Sequence, residues 1–197
     1  MKLKNYFKLP VVVGILVILL PVLIISFLIL YLPSKGFIYS YNSMGVLYPA
    51  GLPVRLTIPK IKVDASIEYV GVTAKGEMGV PKGPKDVAWF DIGTRPGNIG
   101  SAVIAGHYGT WINGEGSVFD NLNKLVRGDK IYVEDEKGMI STFVVRESRS
   151  YNPNADASEV FGLADGKSHL NLVTCEGIWN EVSQTYSQRL VVFADKQ

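Results

Sequence analysis

From Leu9 to Leu32 the chain carries no charged side chain, and nearly every position is Val, Ile, Leu or Phe. Coiled as an α-helix at about 1.5 Å per residue, the run spans roughly 36 Å, enough to cross a hydrocarbon core of about 30 Å. Pro21 lies mid-span, where neighbouring contacts and local adjustment satisfy the backbone groups it frees. A cleaved signal peptide would have a shorter apolar stretch, about 7–15 residues, and a small-residue cleavage site. No A-x-A-like site follows this run, so an uncleaved transmembrane anchor over residues 9–32 is expected. Lys2, Lys4 and Lys8 precede it, and only Lys35 lies close behind. That lysine bias puts residues 1–8 in the cytoplasm and everything beyond about residue 33 outside the cell.

Residues 33–50 combine Pro33, Ser34, Gly36, Asn42, Ser43, Gly45 and Pro49 with several tyrosines. They read as a linker, leaving residues 51–197 as the extracellular domain. The net charge of +2 is small, and its lysines and arginines are scattered rather than striped. A nucleic-acid partner is therefore not expected. An exported domain with a single cysteine forms no internal disulfide, so Cys175 is a free thiol or an intermolecular partner. A small buried thiol is the ordinary fate of such a residue. Cys175, however, follows an apolar run and is flanked by Thr174, Glu176 and Gly177.

Beyond Pro53 the pattern is of short strands separated by glycine and proline. Strands are expected at 54–58, 67–72, 87–90, 102–107, 130–134, 139–148, 170–175 and 190–194. Pro59 marks an edge or a bend. Residues 135–138 (Asp-Glu-Lys-Gly) read as a hairpin turn, with short helical turns near 120–126 and 157–163. Residues 149–168 read as a long irregular segment, a length that in a compact domain is often functional. The strand–long-helix alternation of a parallel sheet is missing. The fold class is all-β, with a barrel favoured.

Three chemically competent residues sit at the ends of apolar runs. Leu170-Asn171-Leu172-Val173-Thr174 reads as a buried strand ending at Cys175. Arg189 opens the run Leu190-Val191-Val192-Phe193-Ala194, and Ala102-Val103-Ile104-Ala105-Gly106 ends at His107. A thiolate nucleophile, an imidazole that moves protons and a planar guanidinium that steadies an oxyanion make a coherent set. Taken singly, His107 could be a core or surface histidine and Arg189 a surface charge. Thr174 reads equally as substrate or oxyanion support and as an ordinary strand threonine. His169 shares the strand parity of Cys175 but lies about 20 Å away along an extended chain, so it reads as structural. One cysteine and two separated histidines make no zinc pattern, and the acidic residues near 150 show no calcium spacing. No metal and no cofactor is expected.

These residues resemble a known family. Leu172-Val173-Thr174-Cys175 is similar to the Leu-x-Thr-Cys core of the sortases, membrane-anchored cysteine transpeptidases of Gram-positive-type cell surfaces. His107 within Ala105-Gly106-His107 and Arg189 within Gln188-Arg189-Leu190-Val191-Val192 match the other two catalytic positions, and Ile58-Pro59-Lys60-Ile61 resembles a stretch near the start of the domain. Asn171 departs from the threonine of the most familiar motif, and the details look nearest to class D, E or F. The resemblance implies an eight-stranded barrel with short helices, and catalytic His107, Cys175 and Arg189. It implies cleavage of an LPXTG-like sorting signal between Thr and Gly through a thioacyl intermediate. The acyl group would pass to an amine on a cell-wall precursor or a pilin. The competing readings are a membrane-tethered, non-catalytic barrel that binds peptide or wall polymer, and another cysteine-dependent wall enzyme such as an L,D-transpeptidase. The latter places an Arg almost directly after Cys in a Ser-x-Gly-Cys setting, where this chain has Glu176-Gly177.

Overall fold

Eight strands close into a barrel in the computed structural model, which describes residues 50–111, 113–162 and 165–197. The expected anchor and all but the last residue of the expected linker lie outside the described residues. Among the described residues no helix is long and apolar enough to cross a membrane. In chain order the strands are β1 (Pro53–Ile58), β2 (Val63–Val70), β3 (Val87–Phe90), β4 (Gly100–Gly106), β5 (Lys130–Asp135), β6 (Ile140–Tyr151), β7 (Ser168–Asn180) and β8 (Thr185–Lys196). Around the barrel the order is β1-β2-β3-β4-β7-β8-β6-β5, closing back on β1. Most neighbours are antiparallel, but β2 and β3 run parallel, as do β4 and β7.

Alternation decides the inner face. Leu56 and Ile58, Val63, Ala65 and Ile67, Ile131 and Val133, and Phe143 and Val145 all point into one core with Ile104, Leu170, Leu172 and Val192. The strands β4, β7 and β8 read as unbroken apolar runs for a second reason: their outer face is covered too. The only α-helix among the described residues, α1 (Ser158–Phe161), lays Val160 over Val103, Val191 and Phe193, with Val173 packed alongside. Asn171 is buried on this same outer face, and its Nδ2 donates to the Val160 carbonyl at 2.6 Å. The motif departure at Asn171 is thus a tether for α1.

Several expected boundaries move. The second strand starts at Val63 rather than residue 67, because small Ala65 fills an inward position; Val72 joins only an isolated bridge to Met78. Residues 149–151, expected to be irregular, continue β6 because Arg149, Ser150 and Tyr151 pair with Val191, Leu190 and Arg189. The expected turn at 157–163 is α1, with Leu163 outside the described residues. Pro59 does make a bend, a 3-10 turn over Pro59–Ile61. The main correction concerns Cys175. Its strand does not end there but runs on to Asn180, pairing with β8 through a bulge between Glu176 and Trp179. Beyond the cysteine the two strands leave the barrel as a ribbon whose ladder pairing is with each other alone among the described residues. Exposed residues on both edges hid that continuation from the sequence pattern.

Candidate active site

The β7–β8 pairing sets Cys175 directly opposite Arg189. Directly opposed antiparallel residues have Cα atoms about 4.5–5.5 Å apart, so register alone brings thiol and guanidinium together. Cys175 is partly exposed, on the outward parity of β7, opposite to Leu172 and Thr174. Burial pushes its thiol above the ordinary range, and the positive charge of Arg189 opposes that shift.

Arg189 is held by neutral acceptors. Its Nη1 donates to the carbonyls of Tyr186 at 3.1 Å and Gln188 at 3.0 Å, and its Nη2 to Thr185 Oγ1 at 2.9 Å. Arg55, Arg146 and Arg149 each pair with a carboxylate, whereas no described ion pair includes Arg189. The guanidinium therefore keeps an uncancelled charge beside the sulfur.

His107 follows β4 directly. The parallel ladder pairs Ala105 with Val173, so His107 leaves the barrel level with Cys175. A cross-link fixes that level: the buried Thr174 hydroxyl donates to the Gly106 carbonyl at 2.7 Å. The residue before the cysteine is thereby pinned to the residue before the histidine. While that bond stands, the Thr174 hydroxyl proton is committed to the barrel wall. Gly106 has no tolerance for a side chain, since a Cβ there would overlap the buried Phe119 ring.

The imidazole has a fixed orientation. Its Nε2 lies 2.7 Å from the Pro81 carbonyl, and a carbonyl only accepts, so Nε2 carries the proton and Nδ1 is the nitrogen left for proton exchange. Trp111 packs against the ring at 4.8 Å between centroids. Among the described residues no hydrogen bond joins the imidazole to the thiol. Such bonds are often long before substrate arrives.

An aromatic chain crosses from the histidine loop to the ribbon. Tyr108 meets Tyr186 edge-on at 5.2 Å, and Tyr186 meets Trp179 at 5.1 Å. Burial raises the Tyr186 phenol, with Cys175, Tyr108 and Asp120 adding to the shift. Asp120 anchors the loop itself, accepting the N–H groups of Gly109 at 2.7 Å and Ser117 at 2.8 Å. Sequence reasoning did not single out Pro81, Asp120, Thr185 or Tyr186. Pro81 and Asp120 reach the histidine loop across 26 and 11 residues. Thr185 and Tyr186, close to Arg189 in sequence, lie in a run with no apolar pattern. Tyr108, adjoining His107, and Trp111, an aromatic residue in a polar loop, carried a local signal. His169, by contrast, sits where expected: buried at the far end of β7, between Asp195 at 2.7 Å and Asp165 at 2.9 Å.

A family model for the sortase domain matches residues 56–197. Solved structures with a similar fold include sortase C-1 from Actinomyces oris, at 22% identity over 77% of this chain and 76% of that one, TM-score 0.57. A Sortase D5 transpeptidase from Clostridium perfringens is similar at 24% identity, over 75% and 79%, TM-score 0.54. A lid mutant of Sortase A from Corynebacterium diphtheriae is similar at 21% identity, over 77% and 73%, TM-score 0.57. At these identities the likeness describes the fold and assigns no subclass. No curated protein matches the chain. The match to the family model runs from Leu56 within β1 through β8, and on it the chain belongs to the sortase family.

Proposed function

We propose that this sortase is a transpeptidase in which Cys175 attacks the Thr–Gly carbonyl of an LPXTG-like sorting signal. The observation that carries the reading is the cross-strand pairing of Cys175 with an arginine that, among the described residues, forms no ion pair with a carboxylate. In the first step a sulfur–carbon bond forms and the carbon–nitrogen bond to glycine breaks. The leaving amine takes a proton from His107, through Nδ1 given the Nε2 bond to Pro81. Arg189 directs N–H donors at the oxyanion of the tetrahedral intermediate, where charge develops. In the second step an amine attacks the thioester, its proton passes to His107, and the sulfur–carbon bond breaks. The acceptor is a cell-wall precursor or a pilin amine.

An unperturbed thiol near pKa 8.5 is only about 3% thiolate at pH 7. The burial of Cys175 lowers the thiolate fraction further, and the charge of Arg189 works against that loss. Residues 9–32 serve as the anchor, with residues 1–8 cytoplasmic, residues 33–50 a tether and residues 51–197 the catalytic domain outside the cell; the lysine bias and the uncharged run support this. The segment between β6 and β7, held by α1, flanks the peptide groove.

The test is turnover of LPXTG-like peptides by the full chain in detergent, with hydroxylamine, glycine peptides and a lysine amine as acceptors. Amine-dependent transfer, lost in Cys175→Ala, supports the reading. Peptide binding without cleavage would favour a non-catalytic binding barrel.

A further inference from the structure

We infer that Thr185 is a positioning residue for Arg189: its hydroxyl and the Tyr186 carbonyl clamp the guanidinium beside Cys175 without cancelling its charge. The inference rests on the active-site reading above and adds to it a residue that lies at the start of β8, outside the matched motifs. Among the described residues the Thr185 hydroxyl, 2.9 Å from Nη2, is the one side-chain acceptor that Arg189 has. The other two acceptors, at Tyr186 and Gln188, are carbonyls of Arg189's own strand and both bind Nη1. A fork held at Nη1 alone can still swing about that atom; a second hold at Nη2 fixes its plane. The hydroxyl turns its own proton toward the Tyr186 carbonyl, 3.5 Å away, which leaves its lone pairs for the guanidinium.

Chemistry explains the residue type. A carboxylate at this position would hold the fork more firmly but would neutralise it, which is how Glu147 and Glu159 treat Arg149. A valine would fill the space and hold nothing. A neutral oxygen on a short, β-branched side chain fixes the cation and leaves its charge for the sulfur and the oxyanion.

Misplacing Arg189 should show on the thiol before it shows on any peptide. The titratable groups around Cys175 are Arg189 and Tyr186 on β8, Glu176 next along β7, and His107 with Tyr108 beyond β4. Of these, the one opposing the upward push of burial on the thiol is Arg189. The experiment measures iodoacetamide alkylation of Cys175 against pH in the full chain, for wild type, Thr185→Val, Thr185→Ser and Arg189→Met. The expected result is a profile displaced to higher pH in Thr185→Val, in the direction of Arg189→Met, and restored in Thr185→Ser. With a sorting peptide, Thr185→Val should lose about tenfold in kcat with little change in KM, and Thr185→Ser should recover it. Thr185→Ala carries the same comparison should the valine variant unfold. A wild-type profile in Thr185→Val beside a displaced one in Arg189→Met overturns the inference, as does a displaced profile in Thr185→Ser equal to that of valine. A displaced valine profile in a protein that turns over no sorting peptide leaves the clamp intact and sinks the proposed function instead.

Discussion

Two hairpins turn back at their tips in opposite styles. The β5–β6 hairpin is closed by one buried carboxylate, Asp135, which accepts backbone N–H groups of Gly51, Lys137 and Met139, each at 2.9 Å. Burial pushes the Asp135 carboxyl up, and the three backbone donors outweigh it, leaving the group below the usual carboxylate range. The β7–β8 hairpin is closed instead by an exposed neutral amide, Asn180, whose Oδ1 accepts the N–H groups of Val182 at 2.9 Å and Ser183 at 3.0 Å. It runs past the barrel with Ile178 80% and Val182 96% exposed, and it keeps a thiol and an unneutralised guanidinium at its base. The first arrangement satisfies polar groups to hold a fold. The second closes its turn with a neutral amide and keeps at its base a cation held only by neutral acceptors among the described residues.

The sharpest way to break this comparison is at the base of the ribbon. Cys175→Ala should abolish acyl transfer while unfolding free energy stays within about 1 kcal/mol of wild type, since the residue is small and partly exposed. His107→Ala and Arg189→Ala should each lower kcat/KM by about 10²–10³-fold, read by steady-state kinetics. Near-normal rates in either would remove that residue from the mechanism.

Asp135→Ala should do the reverse. Leaving three backbone donors without an acceptor should cost about 2–3 kcal/mol in urea unfolding, with the alkylation rate of Cys175 unchanged in the folded fraction. The sign with pH follows from a depressed folded pKa. The contribution of Asp135 is fully present above the unfolded carboxylate value, about 3.9, and is lost as pH falls through the folded one. The stability gap between wild type and Asp135→Ala should therefore begin to narrow below about pH 4 and go on narrowing as pH falls through the folded value. A gap that stays constant over that fall would refute the ionic contribution.

Gly109→Ala should have a smaller effect that joins both properties. Gly109 has φ +92, and a Cβ would overlap the Tyr186 hydroxyl. A left-handed backbone costs a non-glycine residue about 1–2 kcal/mol, and the displaced Tyr186 should weaken turnover by several-fold. The least effect belongs to the tip: Val182→Ser should change stability by no more than about 0.5 kcal/mol.

The sequence made legible those parts of the fold that depend on inward-facing apolar side chains. Leu170 and Leu172, Ile104, and Val192 announced their strands because burial selects for them, and the hairpin at Asp135–Gly138 announced itself by its turn chemistry. Residues whose strand state depends on a partner across the sheet gave no such signal. Residues 177–180 are exposed and, with Glu176, irregular in pattern, and only pairing with Thr185–Gln188 makes the stretch a strand. The same holds for Arg149–Tyr151 in β6. The candidate site was legible as residue types at the ends of apolar runs. Its supports were not, because the Pro81 carbonyl against His107 and the Thr174 bond to Gly106 span 26 and 68 residues.

The central claim is that the Cys175 sulfur carries the acyl group between donor and acceptor. Intact-mass spectrometry of the full chain, incubated with an LPXTG-like peptide and no added amine, tests it most directly. The account predicts a mass increase equal to the peptide segment up to threonine, mapped to Cys175, released by hydroxylamine and missing in Cys175→Ala. Cleavage of the peptide by a protein that never carries that adduct, or an adduct that survives Cys175→Ala, would contradict it.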